Sequence, residues 1–464
     1  MINFNFLPTR YFLVALLFAA LLLNSCGTEP ITVPKKTAEY DAKVIIEWNN
    51  KFLELERYAA GYRPGPAPRA LGYIGLACYE SCVSGMPNYK SVAIGMGVKL
   101  PEPEVNVAYH YPTLVNTAYA YMMKQYFTAI PSITATQLVS ITTLSDKLNT
   151  QYKSETDATS FEKSKKYGEA VAKAIYEWSK TDIIGHDHHL DAFRDAAGKY
   201  KPATGAGNWI PTIPGPSKPM FPDWGYARTF AIKEVDKLCK KPIPYSESKN
   251  SQFYAQALEV KNTVENATYD QRWLAFNWSD DLVNLTFSPG PRWIAIENQV
   301  MTKVNSNLET AIYANAKVSM AINDANIACW YSKYVYNLER PESYIKRIID
   351  PNFEPTLYNP LTNDKGMTPG FPAYPSGHAT MGAAAAEVLT DIFGSSFSMS
   401  DYCHQGRADF EGSDARAFSS FYQMAEENAY SRIPLGVHFR MDSEEGVQLG
   451  YRCGRKVNQL GWKK

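Results

Sequence analysis

The feature that most constrains the fold of this 464-residue chain is the helical spacing of its apolar residues. In long stretches these residues recur every three or four positions, the period that places side chains on one face of an α-helix. Runs that alternate apolar and polar residues, as half-buried strands do, are scarce. The pattern predicts an all-α protein of two packed helical bundles. The stretches lie at residues 38–60, 68–85, 111–127, 160–180, 251–278 and 308–338.

The densest run of proline and glycine interrupts this pattern at residues 183–224. Proline and glycine disfavour long helices, so this segment is predicted to be a long irregular connection over the surface. We therefore predict an N-terminal helical domain at 39–250 and a C-terminal helical bundle at 251–464. The chemically distinctive residues fall in the second of these.

The first 38 residues are predicted to lie outside the fold. Arg10 precedes an apolar run from Tyr11 to Leu23, followed by small residues and Cys26, as in a secretory signal. This run is shorter than the roughly twenty residues of a membrane span. "LNSC" resembles a bacterial lipobox, which predicts a signal peptide at 1–25, lipidation of Cys26 and a tether at 26–38. The chain is then exported and membrane-anchored, facing the periplasm or the cell surface; a cleaved signal without lipid and a retained anchor are the alternatives.

Charge and cysteine content limit the kinds of partner and metal site that the sequence predicts. Lys and Arg total 47 and Asp and Glu total 47, so there is no basic excess for a nucleic-acid partner. Six cysteines remain after Cys26, and their pairing stays open because six cysteines allow fifteen arrangements. No CxxC pair is present, which argues against a thiolate metal site.

Three separated segments of the C-terminal half carry the chemistry. In "WYSKYVYNLERP", Lys333 and Arg340 are seven residues apart, a spacing that returns to one face of a helix. Pro341 is then expected to end that helix. Two cations on one stripe are ordinarily solvated, so this segment gains meaning only with the other two.

The second segment is "FPAYPSGHATMG", residues 371–382. Its prolines favour an extended approach, and Ser376 is a good N-cap for the alanine-rich helix that follows. Ser376, Gly377 and His378 therefore lie at a helix N-terminus, where amide groups and the helix dipole favour an anion. A plain helix start would explain the serine and the glycine but not the histidine.

The third segment is "YSRIPLGVHFRMD". Arg432 adds a cation, and His438 and Asp442 are four residues apart, which predicts that they share one face of a helix. An Asp beside a His can fix the tautomer of the ring and raise the basicity of its far nitrogen.

Combined, the three segments fit a tetrahedral oxyanion. Lys333, Arg340 and Arg432 supply positive charge, and the forked donors of arginine suit the oxygens of such an ion. Ser376 and the Gly377 amide supply neutral donors. His438 offers a lone pair from one apex of the ion, and His378 handles a proton.

The pattern K-x6-RP, PSGH and SR-x5-H-x3-D resembles that of the superfamily of vanadium haloperoxidases and type 2 phosphatidic acid phosphatases. The resemblance implies that the cage residues Lys333, Arg340, Ser376, Gly377 and Arg432 bind vanadate or phosphate, with His378, His438 and Asp442 as the catalytic residues. It also implies that Asp281, or Asp280 beside it, braces Arg432.

The surrounding residues are closer to the chloroperoxidase-like bacterial branch. Phe371, seven residues before His378, matches a phenylalanine of that branch, and Trp330 matches a tryptophan of its halide pocket; both could instead be ordinary core aromatics. The length of the chain also suits the haloperoxidases, because simple phosphatases of the superfamily are much shorter.

The resemblance therefore implies a vanadate-dependent haloperoxidase. In it His438 would be the vanadium ligand, hydrogen peroxide and halide the substrates, and His378 would move a peroxide proton. The alternative is an acid phosphatase that hydrolyses phosphomonoesters, with phosphate as the group bound by the cage. His438 would then form a phosphohistidine, and His378 would protonate the leaving oxygen.

Overall fold

The apolar periodicity is realised as α-helices along the described part of the chain. The computed structural model describes residues 1, 35–195, 198–212, 217–407 and 412–464. The predicted signal peptide, Cys26 and most of the tether lie outside this part. In the described residues about 54% of positions are helical and 3% are in strands, so the predicted all-α class is confirmed.

The first half of the described chain forms seven α-helices: α1 Lys43–Glu56, α2 Pro66–Cys82, α3 Tyr111–Phe127, α4 Ala135–Tyr152, α5 Ala158–Lys180, α6 Glu234–Lys237 and α7 Gln252–Glu265. Seven more α-helices follow among the described residues: α8 Tyr269–Asn277, α9 Arg292–Lys303, α10 Leu308–Tyr336, α11 Pro341–Ile348, α12 Gly377–Phe393, α13 Phe421–Tyr430 and α14 Arg440–Asn458. Two short antiparallel strands, β1 Met399–Asp401 and β2 Arg416–Phe418, pair with Ser400 opposite Ala417.

The periodic stretch at 251–278 forms two helices rather than one. Helix α7 ends at Glu265, and Thr268 starts α8 because its side chain accepts a hydrogen bond from the amide of Gln271. The Gln271 side chain in turn accepts from the amide of Thr268, at 2.9 Å. This reciprocal cap begins a new helix where apolar spacing alone suggests continuity.

Helix α10 is the centre of the molecule. Residues on all of its faces are buried, which is typical of a helix surrounded by others. It packs against α2 from the N-terminal half and against α12 and α14 from the C-terminal half. Residues 36–464 accordingly form one compact unit, and the domain boundary at 250/251 stays a prediction.

Helices α12 and α14 pack along a seam of small residues. A Cβ atom placed on Gly446 would lie 2.8 Å from the carbonyl oxygen of Ser376, and one on Gly450 would lie 2.2 Å from that of Thr380. Both distances are too short for a real side-chain carbon. The glycines of α14 and the alanines of α12 thus let the two backbones approach, and this brings the start of α12 beside the start of α14.

Two features bear on compartment and redox state. Six cysteines are free thiols in the described structure: Cys78, Cys82, Cys239, Cys329, Cys403 and Cys453. Among the described helices, none combines the length and the apolar character needed to cross a bilayer.

Candidate oxyanion-binding active site

The structure brings the three sequence segments together at one buried site. In the first segment, however, the two cations do not lie on one helix as their spacing predicts. Helix α10 ends at Tyr336, and Asn337 takes a left-handed conformation. Arg340 is the N-cap of α11, and Pro341 begins that helix instead of ending α10. The prediction that Lys333 and Arg340 share a helix face was therefore wrong, because a turn after α10 redirects Arg340 toward Lys333.

Two backbone carbonyl groups hold the ammonium group of Lys333. Its Nζ donates hydrogen bonds to the carbonyl oxygens of Pro372 and Ala373, each at 2.8 Å. Two of its three protons are thereby used, and one is left for a ligand. The extended stretch before α12 thus fixes the ammonium group.

Arg340 is anchored in the same way. Its Nε donates to the carbonyl of Phe371 at 3.1 Å, and its Nη1 donates to the carbonyl of Val437 at 2.8 Å. The buried Nη2 has no hydrogen-bond partner in the described structure. An unpaired donor on a buried guanidinium is costly, and an oxyanion would satisfy it.

Ser376 caps α12, as its sequence context predicts. Its hydroxyl accepts from the amide of Ala379 at 3.4 Å and can still donate its own hydrogen. A Cβ atom on Gly377 would lie 3.3 Å from the ring of Trp330, so this close approach favours glycine.

His378 lies on the first turn of α12 and contacts the segment before α9. Its Nε2 is 2.8 Å from the carbonyl oxygen of Ser279, which can only accept, so Nε2 carries the proton and Nδ1 keeps a lone pair. Burial, followed by repulsion from Arg432, lowers the pKa of His378 to about 4. The ring is therefore neutral near pH 7.

His438 and Asp442 are in contact, although not as two residues on one helix face. Helix α14 begins at Arg440 with Phe439 as its N-cap, so His438 precedes the helix, and that prediction was wrong. The contact forms because Asp442, in the first turn, turns back: its Oδ2 lies 2.9 Å from His438 Nδ1 and accepts from the Phe439 amide at 3.0 Å.

The tautomer of His438 follows from its two neighbours. Arg340 Nη1 lies 3.1 Å from Nε2 and can only donate, so Nε2 carries the lone pair and Nδ1–H donates to Asp442. Burial, then repulsion from Arg340, Lys333 and Arg432, lowers the pKa of His438 well below its usual value. A neutral imidazole thus presents a nucleophilic nitrogen among three cations.

Arg432 is paired with Asp281, as the resemblance implies. Its Nη2 donates to Asp281 Oδ2 at 2.6 Å, while its buried Nε has no partner in the described structure. Asp280 does not take this place: its carboxylate contacts Arg292 and His404.

Trp330 and Phe371 form an aromatic wall beside the cations. Their ring centroids are 4.8 Å apart, and Lys333 Nζ lies 5.7 Å from the Trp330 ring and 5.2 Å from the Phe371 ring. The Arg340 guanidinium lies 5.1 Å from the Phe371 ring. Trp330 Nε1 is buried without a partner among the described residues. These rings keep water from the cations and leave an indole donor next to them.

The electrostatics of the cage favour an anion. Burial, followed by the nearby Arg340, lowers the pKa of Lys333 to about 7, and burial also lowers the pKa of Arg340 to about 10. Burial raises the pKa of Asp442 to about 7. Cations buried together are destabilised unless negative charge is placed among them, so the cage favours an anionic ligand.

A cavity of about 160 Å³ opens beside the cage. Asp281 and Phe371 reach it from the cage, and its other walls include proline, methionine and leucine side chains together with Arg63. A cavity of about 680 Å³ elsewhere contains none of the predicted site residues. The smaller cavity adjoins the cage at Asp281 and Phe371.

Backbone groups and one amide side chain complete the site, and sequence reasoning missed them. The carbonyls of Ser279, Pro372 and Ala373 orient His378 and Lys333. Asn428, on α13, donates to the carbonyl of His378 at 3.0 Å. Backbone carbonyls carry no sequence signal, and Asn428 could have been noticed only as a polar residue on the apolar face of α13.

A tetrahedral oxyanion such as vanadate fits these residues. Unpaired buried donors remain on Arg340 and Arg432, and further donors remain on Lys333 and Ser376. His438 Nε2 accepts from Arg340 Nη1 at 3.1 Å, and its lone pair would bond to a vanadium or phosphorus centre once the ion takes up that donor.

Comparisons with known proteins agree with this geometry. A family model described as the VCPO second helical-bundle domain matches residues 314–462. The chain is 25% identical to a vanadium chloroperoxidase of Curvularia inaequalis over 511 aligned residues, covering 89% of this chain and 81% of that protein. It is 32% identical to a vanadium-dependent bromoperoxidase of Ascophyllum nodosum over 111 residues, 22% of this chain and 19% of that one.

Solved structures extend the likeness to the whole fold. The crystal structure described as the first bacterial vanadium-dependent iodoperoxidase matches with a TM-score of 0.77 and 28% identity, covering 92% of this chain and 98% of the other. A holo-type bacterial vanadium-dependent chloroperoxidase matches with a TM-score of 0.63 and 14% identity, covering 86% and 94%. At that identity the second match speaks for the fold alone.

The chain is thus similar to vanadium haloperoxidases, both in the helices that carry the cage and in the fold as a whole.

Proposed function

We propose that this protein is a vanadate-dependent haloperoxidase that oxidises halide with hydrogen peroxide. The observation that carries the proposal is His438, whose Nε2 lone pair is held among Lys333, Arg340 and Arg432 by the Nδ1–H···Asp442 hydrogen bond. The likeness over most of the chain to a bacterial iodoperoxidase and to the chloroperoxidase of Curvularia inaequalis supports haloperoxidase rather than phosphatase chemistry.

Vanadate, once bound, would supply a Lewis-acidic centre that activates hydrogen peroxide toward halide. His438 would hold it through Nε2, and Lys333, Arg340, Arg432 and Ser376 would neutralise and orient its oxygens. Asp442 keeps His438 in the required tautomer and stabilises positive charge on the ring.

His378 is proposed to move the proton of the peroxide. Its Nε2–H is engaged by the Ser279 carbonyl, so Nδ1 is the atom that accepts a proton and later returns it. A pKa lowered to about 4 keeps this nitrogen unprotonated at neutral pH. The base is therefore available over a wide pH range.

The aromatic wall formed by Trp330 and Phe371 is proposed to be the halide pocket. Halides are large, weakly hydrated anions, and a site between aromatic rings and buried cations removes their water while compensating their charge. The cavity beside Phe371 gives them a path to the cage.

Purified protein would be tested with and without orthovanadate, using chloride, bromide and iodide with hydrogen peroxide, and a phosphomonoester in parallel. We expect halogenation only with vanadate and peroxide together, and its loss in His438→Ala. Phosphate release by the vanadate-free protein, with no halogenation after vanadate loading, would instead establish the phosphatase. Gly95→Ala is a suitable control, because no atom lies within 4 Å of a Cβ placed there.

We also propose that Cys26 carries a lipid that anchors the exported protein to a membrane. The signal-like segment before Cys26 and the polar segment after it support this. Labelling of cells with a radioactive fatty acid should mark the wild-type protein but not Cys26→Ser. An unlabelled wild-type protein that fractionates with soluble proteins would contradict the proposal.

A further inference from the structure

Four consecutive residues, Trp278 to Asp281, lie between the cage and a second buried charge network; we name them the brace segment. On the cage side, the Trp278 carbonyl accepts from Arg432 Nη1 at 3.4 Å, and the Ser279 carbonyl accepts from His378 Nε2 at 2.8 Å. Asp281 pairs with Arg432. The segment thus sets the position of one cage cation and of the proton-handling histidine.

On the other side, Arg292 holds the brace segment. Its Nη1 lies 3.2 Å from Asp280 Oδ2 and donates to the carbonyl of Asn277 at 3.0 Å. Its guanidinium lies 4.6 Å from the ring of Trp278. One buried side chain therefore contacts the residue before the segment and two of the four residues within it.

The network around Arg292 is itself fixed. Asp280 Oδ1 lies 2.9 Å from His404 Nε2, and Arg292 Nη2 donates to Asp401 at the end of β1. Arg63, from the turn before α2, donates to the backbone carbonyl of Asp280 at 3.2 Å. Arg292 is also the first residue of α9, so the anchor belongs to a regular helix.

The backbone at Asp280 shows that this hold is needed. Its φ is +38°, in the left-handed region that residues other than glycine adopt at a cost. With this turn, the Ser279 carbonyl and the Asp281 carboxylate both face the cage while the Asp280 carboxylate faces Arg292. The ion pair stabilises a conformation that the chain alone disfavours.

We propose that Arg292, acting through Asp280, is a positioning residue for the reaction. It fixes the Ser279 carbonyl so that His378 stays in the Nε2–H tautomer with Nδ1 free to take a proton. The kinetic part of this inference rests on the proposed haloperoxidase function, and the part concerning the histidine ring does not.

The ring is examined directly by ¹⁵N NMR of histidine side chains, with His378 assigned by its absence in His378→Gln. We expect one Nε2–H tautomer for His378 in the wild type and a mixture with the Nδ1–H tautomer in Arg292→Gln. Arg69→Gln is the matched control, because Arg69 is also buried, pairs with Asp182 at 2.8 Å and lies 4.7 Å from the Tyr73 ring. The control should leave the His378 signal unchanged.

The kinetic arm uses vanadate-loaded protein. A small displacement of a proton-handling group lowers turnover steeply, so Arg292→Gln should lower kcat about 10- to 100-fold. The KM for halide should change less than kcat, and so should the Kd for vanadate, which is measured by calorimetry. The reason is that Lys333, Arg340 and His438 are held by contacts outside the brace segment. Arg292→Lys should recover part of kcat, since it restores one charged donor to Asp280.

The outcomes separate the two claims. If Arg292→Gln does not fold, Asp280→Asn replaces it, because it removes the charge while keeping the shape. An unchanged His378 tautomer in a folded variant overturns the positioning role, as does an equal fall of kcat in Arg69→Gln. A tautomer change in a protein that does not oxidise halide supports the positioning role and counts against the proposed function alone.

Discussion

At the scale of single residues, the site depends on keeping an imidazole neutral among cations. Burial and three positive charges lower the pKa of His438, and Asp442 accepts a hydrogen bond from its Nδ1–H. The same burial lowers the pKa of Lys333 to about 7. Lys333 and Arg340 are thus shifted toward their neutral forms, so binding of an anion is expected to favour the charged form of the lysine.

Removal of the Asp442 carboxylate is expected to weaken vanadate binding. In Asp442→Ala the His438 ring loses the acceptor that fixes its tautomer, and partners of this kind typically contribute 10- to 100-fold in metal affinity. Calorimetric titration with orthovanadate measures the change. Ser443→Ala, on the next residue of the same buried turn, is the control, and equal affinities in the two variants would contradict the role of Asp442.

At the scale of elements, the close seam between α12 and α14 holds the two histidines near each other. His378 is on the first turn of α12, and His438 directly precedes α14. Gly446 and Gly450 allow these helices to meet backbone to backbone. The distance between the imidazoles therefore depends on two positions that carry no side chain.

Gly450→Ala is expected to destabilise the protein although alanine is the better helix former. The added Cβ would lie 2.2 Å from a backbone oxygen of α12, so the helices must separate. Such overpacking costs about 1–3 kcal/mol, more than the roughly 1 kcal/mol gained in helix propensity. Chemical denaturation measures the free energy of unfolding, and Gly95→Ala controls for the substitution itself. A variant as stable as the control would show that the seam tolerates wider spacing.

Most of the long helices and the cage residues could be read from the sequence, but α4, α9 and the connections could not. Apolar spacing predicted α10 almost to its ends, and the motif spacing selected residues that the structure brings together. Lys333 and Arg340 were nevertheless placed on one helix, because a left-handed turn at Asn337 leaves the apolar pattern unchanged. The brace segment escaped notice since it acts through carbonyl groups, which every residue possesses.

At the scale of the whole molecule, buried histidines couple stability to pH. Burial lowers the pKa of His188, His189 and His378 to about 4 each. In the unfolded chain these rings titrate near 6.5, so between pH 6.5 and 4 the unfolded state binds more protons at these sites. Their contribution to stability is present above that window and is lost as the pH falls through it. Glu297, whose pKa burial raises to about 8, works in the opposite direction and reduces the net effect.

His188→Gln isolates one part of this pH dependence outside the cage. His188 is fully buried against Phe221 and Trp224, and its removal deletes one group that must stay neutral on folding. We expect the variant to be less stable than the wild type at pH 7 but to lose less stability between pH 6.5 and 4.5. Thermal unfolding at several pH values measures this, and parallel pH profiles for the two proteins would contradict it.

Vanadate is expected to stabilise the entire fold. The cage residues lie at the end of α10, at the starts of α11 and α12, just after α13 and just before α14. A ligand that binds only the folded state therefore links these five helices. At a free concentration of one hundred times Kd, the stabilisation amounts to about 2.7 kcal/mol. Scanning calorimetry should show that vanadate raises the Tm of the wild type and leaves the Tm of His438→Ala unchanged. Equal shifts in both proteins would indicate binding elsewhere.

The glycine seam also determines what kind of partner the protein can accept. Two helices in backbone contact cannot draw nearer, so the starts of α12 and α14 cannot close further around a smaller ion. Selectivity among ions then depends on how well the size of each ion matches this fixed arrangement of donors. Ions of nearly equal radius would differ in affinity only through the bond that each forms with the imidazole nitrogen. Where these affinities are similar, the more concentrated ion would occupy the site.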